Sequence, residues 1–267
     1  MSSSAPIGVF DSGVGGLSIL REIRTLLPHE DLIYLADSGH CPYGTKPPEE
    51  IRRRTLEVSR VLAAEGVKAI VVACNAACTA GLEAIRAAHP GLPVVGVEPA
   101  LKPAHGRSRN GRIGVLATQL TLRGSRFSGL MERYGDGVQV FTQAAPGLVE
   151  LVESGQTATS AAETMLRSYL EPLLEQGIDT LVLGCTHYPF LRPLIQKLAG
   201  PELLVLDTGA AVARQTERVL TERGLMNEDK APGRDRFYTS GDLRQVAPVI
   251  RQLWGDPQLA VLQVPES

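Results

Sequence analysis

The chain lacks any uninterrupted apolar stretch approaching the ~18 residues that a membrane-spanning helix needs, so no membrane association is expected. Its N-terminus, Met-Ser-Ser-Ser-Ala-Pro, has neither the basic nor the apolar region of a signal peptide, and a cytoplasmic protein is expected. Neither sign of charge is in excess. The 27 basic and 29 acidic residues leave −2, which gives no electrostatic reason to expect nucleic acid or anionic lipid as a partner. Cysteine is scarce: Cys41, Cys74, Cys78 and Cys185 are the four, with no C-x-x-C pair. Structural disulfides are not expected in a reducing cytosol. The missing pairs argue against a structural zinc site, although Cys74 with Cys78, His40-Cys41 and Cys185-x-His187 offer scattered donors. Cys78, one turn into an Ala- and Leu-rich helix, is expected in the core. Lysine is nearly as scarce. Lys46, Lys68, Lys102, Lys197 and Lys230 are the whole supply, and none ends a well-formed strand beside a phosphate-binding glycine loop. That disfavours a pyridoxal-phosphate Schiff base.

What is present is an ordinary globular composition, 43% apolar and 21% charged over 267 residues, enough for one large domain or two small ones. Short β-branched runs at 7–10, 32–36, 69–73, 94–97, 113–117, 138–141, 180–183 and 203–206 read as strands, with weaker ones at 236–239 and 260–264. Helical patterns lie between them at 17–27, 49–65, 79–88, 122–134, 159–176, 190–198 and 210–223. Runs apolar on both faces, alternating with helices, predict parallel α/β sheets. The pattern also repeats. Pro6-Ile-Gly-Val-Phe-Asp-Ser-Gly resembles Arg112-Ile-Gly-Val-Leu-Ala-Thr-Gln, 106 residues on. Val67-Lys-Ala-Ile-Val-Val-Ala-Cys-Asn resembles Ile178-Asp-Thr-Leu-Val-Leu-Gly-Cys-Thr, 111 residues on. Two blocks in one order predict two similar domains related by a pseudo-twofold. Residues 99–208 would form the second, and 1–98 with 209–267 the first.

Cys74 and Cys185 fall at matching places, each just after a strand and just before a helix. Ligands of open α/β sheets bind at that edge, and the positive end of a helix dipole there favours thiolate. If the two domains face each other, both sulfurs point into one cleft. The bland alternative is two small residues at crowded turns. The turn Asp11-Ser12-Gly13-Val14-Gly15-Gly16 matches neither G-x-G-x-x-G nor G-x-x-x-x-G-K-[ST]. Its glycines read as letting a ligand carboxylate or phosphate approach backbone N–H groups, or as a tight turn with Asp11 capping the next helix. His187 is placed to stabilise a Cys185 thiolate or relay its proton. Asp11 is placed to do so for Cys74. Two acid/base groups on opposite faces of one carbon serve racemisation: one removes a proton, and the other returns one to the far face. A thiol suits both tasks.

Further motifs carry a resemblance. Ile7-Gly-Val-Phe-Asp-Ser-Gly-Val-Gly-Gly-Leu-Ser, Tyr34-Leu-Ala-Asp-Ser, Cys41-Pro-Tyr-Gly-Thr-Lys, Ala73-Cys-Asn, Val95-Gly-Val-Glu-Pro-Ala and Leu183-Gly-Cys-Thr-His-Tyr-Pro-Phe-Leu together resemble the bacterial glutamate racemases, of the cofactor-independent aspartate/glutamate racemase family. They cover nearly the whole chain, in order. The resemblance implies two pseudo-symmetric flavodoxin-like α/β domains with parallel sheets and an active site in the cleft between them. It implies interconversion of L- and D-glutamate with no cofactor and no metal, supply of D-glutamate for peptidoglycan, and a homodimer. It implies that Cys74 takes the proton from D-glutamate and Cys185 from L-glutamate, with Asp11, Glu153 and His187 as auxiliary acid/base groups. Asp11, Ser12, Tyr43, Gly44, Asn75, Ala76, Thr186 and His187 match its substrate-binding positions. Aspartate or a hydantoin would be the rival substrates, and a glutamate-binding protein without catalysis the rival class.

The chain departs from the family at two places. Ala76 stands where the family usually has Thr, so Thr79 or the Ala76 backbone N–H would have to replace the missing hydroxyl. A lost hydrogen bond to a charged group costs about 1.5–3 kcal/mol. Ala145 stands where the family often has Cys.

Overall fold

The computed structural model describes residues 3–265. Its strands are β1 (Ile7–Asp11), β2 (Leu32–Ala36), β3 (Ala69–Val72), β4 (Val94–Gly96), β5 (Arg112–Ala117), β6 (Gln139–Ala144), β7 (Thr180–Gly184), β8 (Leu204–Leu206), β9 (Asp235–Thr239) and β10 (Val261–Gln263). They form two sheets, ordered β10-β9-β2-β1-β3-β4 and β6-β5-β7-β8. Every pairing is parallel. The order second, first, third, fourth occurs in both sheets and is the flavodoxin-like winding. The registers repeat as well. Ile7 faces Ala69 across β1 and β3, and Ile113 faces Thr180 across β5 and β7. Ile113 lies 106 residues after Ile7 and Thr180 lies 111 residues after Ala69, the same spacings as the two sequence repeats. The duplicated motif is therefore a duplicated fold. The final segment adds β9 and β10 beside β2.

β1, β2, β3 and β7 are buried along their whole length. Strands covered on both faces need apolar residues without alternation, which is why these runs are the plainest in the sequence. β6 ends its sheet and is only partly buried. Thr142 and Gln143 are tolerated there, so the strand runs past the apolar stretch to Ala144. The helix Leu17–Leu26 buries Leu17, Leu20 and Ile23 on one face and packs against Gly209–Glu222. The helix Pro48–Ala64 starts on a proline with Glu49 and Glu50 in its first turn, a favourable combination at an N-terminus. It packs on Asn75–Ala88.

Some elements differ from expectation. The helix after β3 begins at Asn75 rather than 79, which makes Cys74 its N-cap. The expected helix 122–134 is two, Gln119–Arg123 and Ser125–Tyr134, because Gly124 between them is extended. Leu243–Trp254 is a helix that the pattern did not announce, since Pro248 in its interior reads as a breaker. Asp242 caps it, accepting from the Arg244 N–H. The short helix Leu148–Glu153 was likewise unexpected, and it carries Glu153. No helix among the described residues is long and apolar enough to cross a membrane.

Candidate active site

In a parallel sheet the carboxyl ends of all strands share one edge, and here the two such edges meet. Ser12 follows β1, Cys74 follows β3, Thr118 follows β5 and Cys185 follows β7, and all four line one cavity. Asn75, Ala76, Thr121, Gly184, Thr186 and His187 complete its sides, with Pro42, Tyr43, Gly44 and Val149 closing it. Cys74 is 5% exposed and Cys185 8%. Room for the centre of a water-sized sphere amounts to about 20 Å³. That is space for about one water, so the walls must part to admit anything larger.

Each thiol has its own helper. The Cys74 thiol donates to Ser12 Oγ at 3.6 Å, and Ser12 Oγ donates to Asp11 Oδ1 at 3.5 Å. Asp11 is fully buried at the end of β1, with Oδ2 accepting from Gly16 N at 2.8 Å and from Thr186 Oγ1 at 3.4 Å. On the other side, Cys185 Sγ lies 3.7 Å from His187 Nδ1. His187 Nε2 lies 2.6 Å from Glu153 Oε1, which also accepts from Val14 N at 2.7 Å. Ser38 Oγ donates to Glu153 Oε2 at 3.3 Å. Thiol, imidazole and carboxylate thus form a line, the general arrangement of an activated nucleophile or base.

This geometry corrects the reading of the glycine turn as a ligand cradle. A β-carbon on Gly13 would lie 1.9 Å from Glu153 Oε1, and one on Gly15 would lie 2.3 Å from His187 Nδ1. The groups that approach the turn are the protein's own. The capping role holds beside this, since Asp11 takes the Gly16 N–H at the start of the next helix.

The electrostatics differ on the two sides. Burial is the main influence on Asp11 and pushes its carboxyl up, with the nearby His187 charge acting against it. Burial, then the Asp11 charge, pushes the Cys74 thiol well above its ordinary value. Cys74 is accordingly a thiol at neutral pH in this arrangement. Burial pulls the His187 imidazole down, but its hydrogen bonds to Cys185, Cys41 and Glu153 outweigh this and hold it well above its ordinary value. The charged form of His187 is thus favoured relative to a free imidazole, with Nδ1 facing the Cys185 sulfur.

All the sequence-derived positions come together here, with differing parts. Both Asn75 side-chain polar atoms are buried with no hydrogen-bond partner among the described residues. A buried amide without partners costs about 1–3 kcal/mol per group, which points to a ligand that pairs with it. Gly44 packs closely on Thr118. The Tyr43 hydroxyl is committed to Asp37 Oδ2 at 2.5 Å, so that hydroxyl is not aimed at the cavity. Asp37 in turn holds Arg54, at 2.6 Å, and Ser240, at 2.7 Å. Thr79 does not take the place of the hydroxyl missing at Ala76. It donates to Asn75 O at 2.9 Å within the helix and does not line the cavity. Cys78 is core, as expected, between Val72 O at 3.4 Å and Val97 N at 3.2 Å. Thr118, Thr121 and Val149 escaped the sequence reading, and Cys41 figured there only as a scattered donor and in a family motif. Thr118 had a signal: it stands 106 residues after Ser12, in the matching repeat.

Comparison with known proteins agrees with this geometry. The family model for Asp/Glu/hydantoin racemases matches residues 7–216. The glutamate racemase of Stutzerimonas stutzeri is 51% identical over 253 residues, covering 95% of this chain and 95% of that protein. Among solved structures, glutamate racemase isoform RacE1 of Bacillus anthracis superposes with a TM-score of 0.89 at 32% identity, covering 98% of both chains. The Escherichia coli glutamate racemase, solved with L-glutamate and the activator UDP-MurNAc-Ala, gives 0.85 at 33% identity and 97% of both chains. With two parallel sheets meeting at paired thiols and a family match over most of its length, the chain belongs to the Asp/Glu/hydantoin racemase family.

Proposed function

We propose that the chain interconverts L- and D-glutamate, with Cys185 and Cys74 exchanging protons with opposite faces of the α-carbon. The observation that carries this is the pair of thiols at equivalent strand ends, both on one cavity, each with a separate acid/base neighbour. In the direction from L-glutamate, Cys185 acts as thiolate and takes the α-proton. The electron pair left on carbon takes a proton from the Cys74 thiol on the other face, leaving Cys74 as thiolate. The reverse direction exchanges the two roles. His187, held by Glu153, supplies the N–H that stabilises sulfur charge on the Cys185 side, and Asp11 serves the Cys74 side. Asn75, with donor and acceptor unpartnered, binds the substrate carboxylate and ammonium. Backbone N–H groups of Tyr43, Gly44 and Ala76, with the backbone N–H groups and hydroxyls of Ser12 and Thr186, complete the binding positions.

Glutamate rather than aspartate is favoured by relatives named glutamate racemase at about half identity over nearly the whole chain. In this proposal the cleft lies between residues 1–98 with 209–267 and residues 99–208. Parting of these domains, or of Pro42 from Val149, admits the substrate. The product supplies peptidoglycan synthesis in the cytoplasm, and the chain works as a homodimer.

The test is the circular dichroism of D-glutamate with purified protein in chelator and deuterated water. Ellipticity is expected to decay to zero as deuterium enters the α-position. Decay with D-aspartate but not D-glutamate would overturn the substrate. Exchange with neither would overturn racemisation.

A further inference from the structure

A second set of donors lies behind the imidazole. A ring nitrogen of His187, the Cys41 sulfur and a Glu153 oxygen all lie within 4.8 Å of one another. They come from three separate segments: the stretch between β2 and the helix Pro48–Ala64, the helix Leu148–Glu153, and the turn after β7. Cys41 and Glu153 also line a surface cavity of about 450 Å³, bounded by Ser38, Glu150 and Gln245. On the same measure the cavity between the two thiols holds about 20 Å³. Two of the three donors, Cys41 and Glu153, are thus reached from solvent without passing Cys74 or Cys185, with the buried His187 directly behind them.

Thiolate sulfur, imidazole nitrogen and carboxylate oxygen are the donors that zinc takes, at roughly 2.0–2.3 Å. Tetrahedral donors at that range stand roughly 3.3–3.8 Å apart, so the present separations need to change by no more than about 1 Å. The fourth position would face the outer cavity. Cys41 exchanges no proton with the substrate in the scheme proposed above, which leaves its sulfur free to take a metal beside His187.

We propose that Cys41, Glu153 and His187 form an inhibitory site for zinc, with three protein donors and one open position. On binding, Cys41 and the His187 ring each release a proton to solvent, and the sulfur joins the metal as thiolate beside the freed ring nitrogen. Occupation replaces the 2.6 Å contact between His187 and Glu153 with bonds to the metal, so the ring no longer holds its second proton beside Cys185, and racemisation stops. That consequence rests on the relay proposed above, whereas the coordination does not.

Cobalt(II) is the probe that separates the two. Titration of chelator-stripped protein with cobalt is expected to raise a sulfur-to-cobalt charge-transfer band that saturates at one ion per chain. Cys41→Ala and Cys41→Ser should lose the band, and Cys185→Ser should keep it. In parallel, zinc should inhibit the wild type reversibly. Its half-inhibiting concentration should rise by roughly tenfold or more in Cys41→Ala, each rate taken against that variant's own metal-free rate. A band that survives Cys41→Ala, or that vanishes with Cys185→Ser, overturns the site. A wild-type band with an undiminished racemisation rate overturns the inhibition and places the fault in the relay.

Discussion

Glu153 Oε1 stands 1.9 Å from the point where a β-carbon on Gly13 would lie. One glycine hydrogen is all that separates the N-terminal turn from the carboxylate that holds His187. The Gly13→Ala variant is therefore expected to fold but to push Glu153 off Val14 N and His187 Nε2. Misplacement on the ångström scale costs on the order of 10²-fold in turnover. Kinetics beside a far-ultraviolet spectrum would check this, and wild-type turnover in a well-folded Gly13→Ala would contradict it.

The imidazole charge has a direct readout. In an NMR titration the His187 ring should have its midpoint above 6.5, because the hydrogen bonds to Cys185, Cys41 and Glu153 overcome the downward pull of burial. Glu153→Gln removes the carboxylate but keeps an acceptor. The midpoint should then fall, and the pH at which proton abstraction from L-glutamate declines should fall with it. A midpoint unmoved by Glu153→Gln would mean that the 2.6 Å contact does not hold the proton.

The buried Asp11 carboxyl has a cost in stability. Its carboxyl is raised above 3.8, mainly by burial, so the folded state binds its proton more tightly than the unfolded state does. Stability from this group is therefore lost as pH rises from 3.8 through the folded value, and the deficit persists at pH 7. Asp11→Asn should melt at a higher temperature than wild type at pH 7, with the gap closing below pH 3.8, while turnover falls. Equal melting temperatures at pH 7 would refute the sign.

Cys74→Ser and Cys185→Ser should each lower racemisation by roughly 10²–10⁴-fold, since a hydroxyl at that site is a far weaker base than a thiolate. Both losses are required. If either variant kept the wild-type rate in the dichroism assay, its thiol would not be one of the two bases.

Ala76 lines the cavity in the first turn of the helix Asn75–Ala88. Thr79 does not fill the gap, so Ala76→Thr should supply a new hydroxyl to the substrate carboxylate. One hydrogen bond to a charged group is worth about 1.5–3 kcal/mol, which lowers KM by roughly tenfold or more with kcat little changed. A raised KM would show that the added methyl crowds the cavity instead.

Periodicity made the buried strands and the paired cysteines legible, because β1, β3 and β7 are apolar on both faces and the repeat aligns Cys74 with Cys185. The end of edge strand β6 and the helix Leu243–Trp254 were obscured by local chemistry, polar residues in one and Pro248 in the other. The cavity walls were legible only where the repeat carried information, as with Ser12 and Thr118. Glu153 looks like an ordinary surface acid in sequence and reached the site only through the family resemblance. Cys41 showed in sequence only as a scattered donor beside His40 and as the start of a family motif. Both owe their positions to contacts between segments more than a hundred residues apart, which no local pattern encodes.

The duplicated fold has one more consequence. In the two repeats the position of Asp11 is matched by Ala117, and that of His187 by Ala76. Each half has kept one helper and carries alanine where the other half has its own. Two identical subunits around a twofold axis could not do this, since every side chain would appear on both sides. An amino acid has no twofold axis of its own, and a cleft that had one would offer it two degenerate poses. Tying both halves into a single chain removes the degeneracy, so that one ligand orientation meets one imidazole and one carboxyl.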